Sequence, residues 1–434
     1  MRRDEAEDFI YASYMAAASQ LSFDAPDSEK RHPELTRDLL RSLAHADTAI
    51  VTGSKGKGSV ARMAAALLQT ERRVGLMTSP HIRRFNERFC VDGALISDSE
   101  LAEAVTAVAP AIEKIEGRLL PGEFVSPIGI ECAAALSWFC KESTEADILE
   151  CGKGARFDDV TNVPHRFCAI NTVFLEHTRE LGPTISAIAA DKAYAIQPEC
   201  EAAFIGSQEE EAMAQIAQRA CALGVPLLEY GRDFEATDIR WGKAGIICTL
   251  KNQSQVLEDV ELPLLGEFQT RNAALALALA EALLGHELAE RKVREALGKL
   301  RIPGRMELVS KEPLLVVDAC INRASAQEAR EALAHLGCGP GLIAIVGIPD
   351  DKDYAGVVHE MAGVADEIWL TASQNPHYVF TERQGRCLAA EGIETHFAPT
   401  VAGALLEARA TGRPVCLLGT TSVIAEAEAA IAND

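Results

Sequence analysis

The stretch Ala49–Ser59, A-I-V-T-G-S-K-G-K-G-S, decides how the rest of the chain is read. An apolar, β-branched run stops at Gly53, glycines at 53, 56 and 58 bracket two lysines, and a helical pattern opens at Ser59. Small residues in succession let backbone N–H groups converge on an anion at a helix N-terminus. Lys57 can then reach terminal phosphates, and the Ser59 hydroxyl can ligate Mg²⁺. Gly53, Ser54, Lys55, Gly56, Lys57, Gly58 and Ser59 are therefore the candidate nucleotide cradle. The usual phosphate-loop spacing is only partly met, because Gly58 separates the lysine from the serine and the first glycine is displaced. A glycine-rich strand-to-helix turn that binds no nucleotide is the competing reading.

Composition narrows the class. A chain of 434 residues predicts two or three domains, each large enough to bury its own core. Acidic residues outnumber basic ones 64 to 42, a net charge of −22, which disfavours nonspecific nucleic-acid binding and requires local cations for any anionic substrate. The 12 cysteines show neither C-x-x-C pairs nor metal-finger spacing, so a reducing cytoplasm is expected. The N-terminus carries no apolar signal region, and no apolar run approaches the ~18 residues of a membrane span. A monomer without a membrane partner is expected.

Outward from the loop, residues 5–20 and 33–46 read as helices ahead of the first strand, with a polar loop from Ser22 to Arg31 between them. Downstream, V-G-L-M-T-S at 74–79 reads as a second strand, and the charged P-H-I-R-R-F-N-E-R-F from Pro80 as a loop beside the nucleotide. Ser97 or Asp98 can cap a helix whose first turn carries Glu100. A long apolar helix around 128–140 precedes the strand A-D-I-L-E ending at Glu150, where α/β sheets place their ligands. C-A-I-N-T-V-F leads into L-E-H-T at 175–178, the segment 234–262 alternates like hairpins, and 271–284 is an alanine- and leucine-rich core helix. A junction at R-I-P-G-R, 301–305, divides a domain 1–300 from a domain 301–434. Beyond it, L-L-V-V-D, L-I-A-I-V-G, E-I-W-L-T and V-C-L-L-G alternate with helical stretches. The fold class expected is α/β: a large P-loop ATPase domain with a mostly parallel sheet, then a smaller Rossmann-like doubly wound domain.

Several blocks, in collinear order, carry a family resemblance. G-S-K-G-K-G-S, T-S-P-H-I-R-R-F-N-E-R-F, E-C-G-K-G-A-R-F-D, L-E-H-T and D-K-A are followed by L-L-G-E-F-Q-T-R-N-A-A-L-A at 264–276, I-P-G-R-M-E at 302–307 and D-D-K-D at 350–353. The chain resembles the folylpolyglutamate synthase and dihydrofolate synthase family of the Mur ligase superfamily. That resemblance implies an ATP- and Mg²⁺-dependent ligase that phosphorylates a substrate carboxylate and captures the acyl phosphate with an amino acid. Glutamate on a folate or dihydropteroate is the expected pairing. Joining to another acid, or an ATP-binding subunit without ligase activity, are the alternatives.

The resemblance also implies roles. Lys57, Lys192 and His177 are the catalytic candidates, and Ser59, Glu150, His177 and a carbamylated Lys192 are the metal set. Gln269 and Asn272 match a block that contacts adenine, Arg305 matches an arginine that reaches the phosphates across the cleft, and Asp318 falls at the cleft. Without the resemblance, Lys192 in A-A-D-K-A-Y would read as a solvated helical lysine. Departures are as plain as matches: D-A-C-I-N-R at 318–323 stands where D-G-A-H-N-P is usual, placing Ile321 at the histidine position and Arg323 at the proline position. Lys55 and Lys153 are further unusual cations. Positive charge added at 55, 153 and 323 fits a more anionic acceptor or a replaced phosphate contact.

Overall fold

The computed structural model describes residues 1–21, 25–242, 245–338, 341–376 and 378–432. Seventeen strands fall into three sheets among these residues. The first sheet contains β1 (Asp47–Thr52), β2 (Val74–Met77), β3 (Phe89–Val91), β4 (Ala94–Leu95), β5 (Ala146–Glu150), β6 (Phe167–Ile170), β7 (Ala202–Ile205) and β8 (Leu227–Glu229). Their order is β4-β3-β2-β5-β1-β6-β7-β8, parallel throughout except for the antiparallel edge made by β3 and β4.

Sheets covered on both faces need apolar residues at every position, and β1 supplies them. Ile50 joins Met77, Leu149 and Ile170 on one face, under the helices Asp98–Glu116 and Pro127–Lys141. Ala49, Val51 and Ile148 meet the helices Lys57–Leu68 and Phe268–Leu284 on the other. The antiparallel strands β9 (Phe234–Trp241), β10 (Ile246–Asn252) and β11 (Val256–Leu262) form a separate sheet against this second core.

The third sheet holds β12 (Glu307–Lys311), β13 (Leu314–Asp318), β14 (Ile343–Gly347), β15 (Glu367–Thr371), β16 (His396–Ala398) and β17 (Val415–Gly419), in the order β12-β13-β17-β14-β15-β16. Only β12 runs antiparallel. Helices cover both faces, with Val316, Ala344 and Val346 in one core and Leu315, Val317, Ile343 and Ile345 in the other. No helix among the described residues is long and apolar enough to cross a membrane.

Several element boundaries differ from expectation. The helix after the phosphate loop starts at Lys57, not Ser59, because Gly56 takes the N-cap position at φ 77°. The helix expected over 33–46 is confined to Glu34–Ser42. Within the loop expected from Ser22, residues 22–24 lie outside the described residues, and Asp27–Lys30 is a helical turn. The hairpin segment is three paired strands, with 243 and 244 outside the described residues.

P-H-I-R-R-F-N-E-R-F is not a loop throughout. Phe85–Arg88 forms a 3₁₀ turn and Phe89 opens β3, with Phe85 and Phe89 fully buried. Its charge is accommodated by pairing: Arg88 Nη1 donates to both Glu131 oxygens at 2.7 and 2.8 Å. Ser97 caps the next helix and Glu100 closes the capping box, as expected.

Candidate active site

The carboxyl ends of β1, β5 and β6 lie side by side, so the loop after β1, Glu150 and the segment after β6 meet above the sheet. Two of the loop glycines are required by what lies behind them. A Cβ on Gly56 would sit 2.5 Å from Asn171 Nδ2 and 2.8 Å from Asn272 Oδ1, and φ 77° is already costly for other residues. A Cβ on Gly58 would approach Glu150 Oε2 at 3.2 Å, which places that carboxylate over the first turn of the helix Lys57–Leu68.

Asn171, which the sequence reading did not single out, holds the loop from behind. Its Nδ2 donates to Lys55 O at 2.9 Å and to Asn272 Oδ1 at 2.8 Å. Asn272 Nδ2 in turn donates to Gln269 Oε1 at 3.0 Å. Gln269 and Asn272 are thus buried beneath the loop rather than presented to a ligand, and Gln269 Nε2 is buried without a hydrogen-bond partner. The structure gives them a supporting place in contrast to the adenine contact expected. A polar residue at the end of a buried strand was the available signal for Asn171.

Two ammonium groups converge on one carbonyl. Lys57 Nζ donates to Gly53 O at 2.9 Å, and Lys192 Nζ donates to the same oxygen at 3.0 Å. Lys192 is not solvated: it is fully buried at the end of the helix Ile185–Lys192, donates to Lys153 O at 2.6 Å and lies 2.9 Å from Glu176 Oε1. Nζ donates to two backbone carbonyls and faces the Glu176 carboxylate, surroundings that suit an ammonium, whereas a carbamate would bring oxygens against oxygens. Burial first, then the charge of Lys57, lowers the Lys192 pKa. Burial opposes ionisation of Glu176, yet Lys192, Lys57 and His177 hold its pKa below the ordinary value.

Of the expected metal residues, Glu150 lies over the first turn of the helix that carries Ser59, Lys192 is engaged with Gly53 O, Lys153 O and Glu176, and His177 stands beside Glu176 and Glu180. Glu150 is buried, and burial raises its pKa against the opposing charges of Lys57, Arg62 and Arg305. Its Oε2 accepts from Ser79 N at 3.0 Å, while Oε1 and the Ser59 hydroxyl have no hydrogen-bond partner among the described residues. Two free hard oxygens at a phosphate loop suit a divalent cation that takes its remaining ligands from phosphate and water. His177 has φ 46° and a half-buried ring, 3.9 Å from Glu176 and 4.0 Å from Glu180. Burial lowers its pKa, against the opposing charges of Glu176 and Glu180. No group of three or more His, Cys, Asp or Glu side chains among the described residues is arranged to hold a metal ion by itself.

The third sheet closes the other side. Asp318 ends β13, is buried, and accepts from Met306 N at 2.8 Å. Burial raises its pKa, and Lys55 and Arg305 oppose the shift. Arg305, hydrogen-bonded weakly to Ala319 O at 3.5 Å, therefore lies in the field of both Asp318 and Glu150.

The three unusual cations do not form a free positive surface. Lys55 spans the cleft to Glu328 and lies 4.7 Å over the Phe268 ring. Lys153 pairs with buried Asp27 at 3.1 Å and Glu180 at 3.5 Å. Arg323 Nε donates to Glu360 at 2.7 Å, away from Ile321, which is exposed. Each added charge is matched by a carboxylate of this chain, so the extra charge is not held in reserve for an acceptor.

Comparison with known proteins agrees with this geometry. The Mur ligase middle domain matches residues 51–280. A folylpolyglutamate synthase from Lacticaseibacillus casei is 30% identical over 330 residues, covering 74% of this chain and 75% of that protein. The structure of Mycobacterium tuberculosis folylpolyglutamate synthase complexed with ADP superposes with a TM-score of 0.86 at 25% identity, covering 98% of each chain. An FPGS–AMPPCP–folate complex superposes with a TM-score of 0.80 at 26% identity, again covering 98% of each chain. With a phosphate loop, two converging lysines and a free carboxylate oxygen on this fold, the chain belongs to the folylpolyglutamate and dihydrofolate synthase family of the Mur ligases.

Proposed function

We propose that this chain is an ATP-dependent, ADP-forming ligase that couples glutamate to the carboxylate of a folate or dihydropteroate. The observation that carries the reading is the convergence of Lys57 and Lys192 on Gly53 O beside the free oxygens of Ser59 and Glu150. A carboxylate and a triphosphate repel one another, and the reaction requires that both be held together while the γ-phosphoryl group moves. Lys57 spends one of its three donors on Gly53 O and keeps the others for phosphate oxygens. Mg²⁺, when bound at Ser59 and Glu150, offsets phosphate charge.

Lys192 works as an ammonium in this reading, in place of the carbamate the family resemblance implies. It fixes the Gly53 carbonyl and adds a second positive charge behind the loop. Arg305 and Asp318 supply the opposite wall, so the nucleotide lies between the first and third sheets. Water exclusion by that wall protects the acyl phosphate until the amine of glutamate attacks. Residues 1–300 and 301–434 act as the two units of a monomer working in the cytoplasm.

The relatives' substrates motivate the choice of folate-type acids, since an FPGS–AMPPCP–folate complex shares this fold. ADP release is the test. The reading requires release only when ATP, a folate-type acid and glutamate are all present, with one amide formed per ADP. Release that ignores the acid, or requires an unrelated acid, refutes it.

A further inference from the structure

A second concavity lies along the flank of the helix that the phosphate loop begins. Arg62, Ala65, Ala66, Gln69 and Thr70 recur at helical spacing, so they share one face of Lys57–Leu68 and its C-terminal turn. Arg291, Lys292, Glu295, Ala296 and Lys299 repeat that spacing on the helix Glu290–Gly298 and the residue after it. The first sheet contributes Leu76 of β2, Cys90 of β3 and Leu95 of β4, and the chain leaving the second helix adds Leu300 and Arg301. The groove that these residues line has a volume of about 680 Å³, within the range of small-molecule sites. No residue of the phosphate loop lines it.

Its charge runs against that of the whole chain. Five cations line the groove with one carboxylate, although acidic residues outnumber basic ones 64 to 42 overall. Part of that charge is used internally. Lys299 Nζ lies 2.8 Å from Glu295 Oε1, Arg291 Nη1 lies 3.7 Å from Glu295 Oε2, and Lys292 Nζ lies 3.0 Å from Glu71 outside the groove. Glu295 thus serves two exposed cations, and exposed pairs are worth at most about 1 kcal/mol, so an incoming anion can displace it. Arg62 and Arg301 have no carboxylate partner among the described residues; Arg62 Nη2 donates to the Thr78 hydroxyl at 3.1 Å.

We propose that this groove binds an amphiphilic organic anion, one with two or more negative charges on an apolar ring or chain. Ala65, Leu76, Leu95 and Leu300 offer the apolar body a surface, and Leu95 is 49% exposed without such cover. The guanidinium forks of Arg62 and Arg301 suit the paired oxygens of a carboxylate or phosphate. A bare inorganic ion would leave the apolar surface wet, and a neutral ring would leave the cations unmatched. The two features together define the ligand class.

The inference stands apart from the ligase reading and is tested without turnover. The full-length protein is titrated calorimetrically with 1-naphthyl phosphate, a phosphate monoester on an apolar ring. A single molecule should bind per chain, more weakly as NaCl rises, with inorganic phosphate and 1-naphthol each at least about tenfold weaker. Arg301→Glu and Leu95→Glu, both at exposed positions, should each weaken binding at least about tenfold while thermal unfolding stays unchanged. Lys57→Ala should bind the probe as the parent does. Amide exchange over 62–70 and 291–301 should slow when the probe is bound. Absence of binding, equal binding of inorganic phosphate, or parental affinity in either Glu variant overturns the site. Loss of binding in Lys57→Ala overturns it too, because the probe would then sit in the phosphate loop.

Discussion

Replacing Lys192 with methionine removes a buried ammonium while keeping an unbranched side chain in its place. Gly53 O retains Lys57 at 2.9 Å, but Glu176 loses the cation at 2.9 Å that does most to hold it ionised. Breaking one side of a buried pair costs about 3–5 kcal/mol. The Glu176 side chain is 18% exposed and can regain some water, so the lower end, about 3 kcal/mol, applies. At roughly 2 °C per kcal/mol for a unit of this size, thermal unfolding of the first domain should fall by about 6 °C. Adding Glu176→Gln removes the orphaned charge, and the double variant should recover most of that loss while ADP formation stays abolished. Scanning calorimetry and ADP release measure the two effects separately. A single variant as stable as the parent, or a double variant no more stable than the single, refutes the ion-pair account. Intact mass in bicarbonate buffer, where no added CO₂ is expected, checks that Lys192 is the free ammonium.

Three further outcomes follow from particular contacts. Gly56→Ala should lose at least about 1–2 kcal/mol from left-handed backbone alone, more from the approach to Asn171, and should no longer bind ADP in a calorimetric titration. Buried Asp159 has its pKa raised by burial to about 6 from 3.8, so its protonated form favours folding. That contribution is complete below about pH 4 and lost as pH rises through 6, on the order of 3 kcal/mol, and urea unfolding of Asp159→Asn should lack this dependence. Lys55→Asn should shift overall stability by less than about 1 kcal/mol because Lys55 and Glu328 are both part-exposed, whereas Glu328→Lys, which sets like charges across the cleft, should raise the KM for ATP.

Local pattern carried the parts of this fold whose determinants are local. The run before Gly53, the capping box at Ser97 and Glu100, and the apolar strands of the third sheet are each written within a few residues. Short edge strands such as β12 and β16 pair along one side only and leave a weak pattern. Partners distant in sequence were the larger loss. Arg88 reads as loop charge until Glu131 is found opposite it, and Lys192 reads as solvated until Gly53, Lys153 and Glu176 surround it. Lys55, Lys153 and Arg323 looked like spare cations because Glu328, Asp27 and Glu360 lie 273, 126 and 37 positions away. The candidate site divides in the same way: Lys57 and Ser59 were legible from the loop, and Glu150 from its strand end. Asn171 and Glu176, which hold the loop and Lys192, became visible only when the strands were placed side by side.

The central claim is that the loop after β1 grips triphosphate and delivers its γ-phosphoryl group to an acid. ADP release by the wild-type protein and by Lys57→Ala, with each substrate omitted in turn, tests it most directly. The account predicts release that needs ATP, folate-type acid and glutamate together and that vanishes in Lys57→Ala. Release undiminished in that variant, or indifferent to the acid, contradicts it.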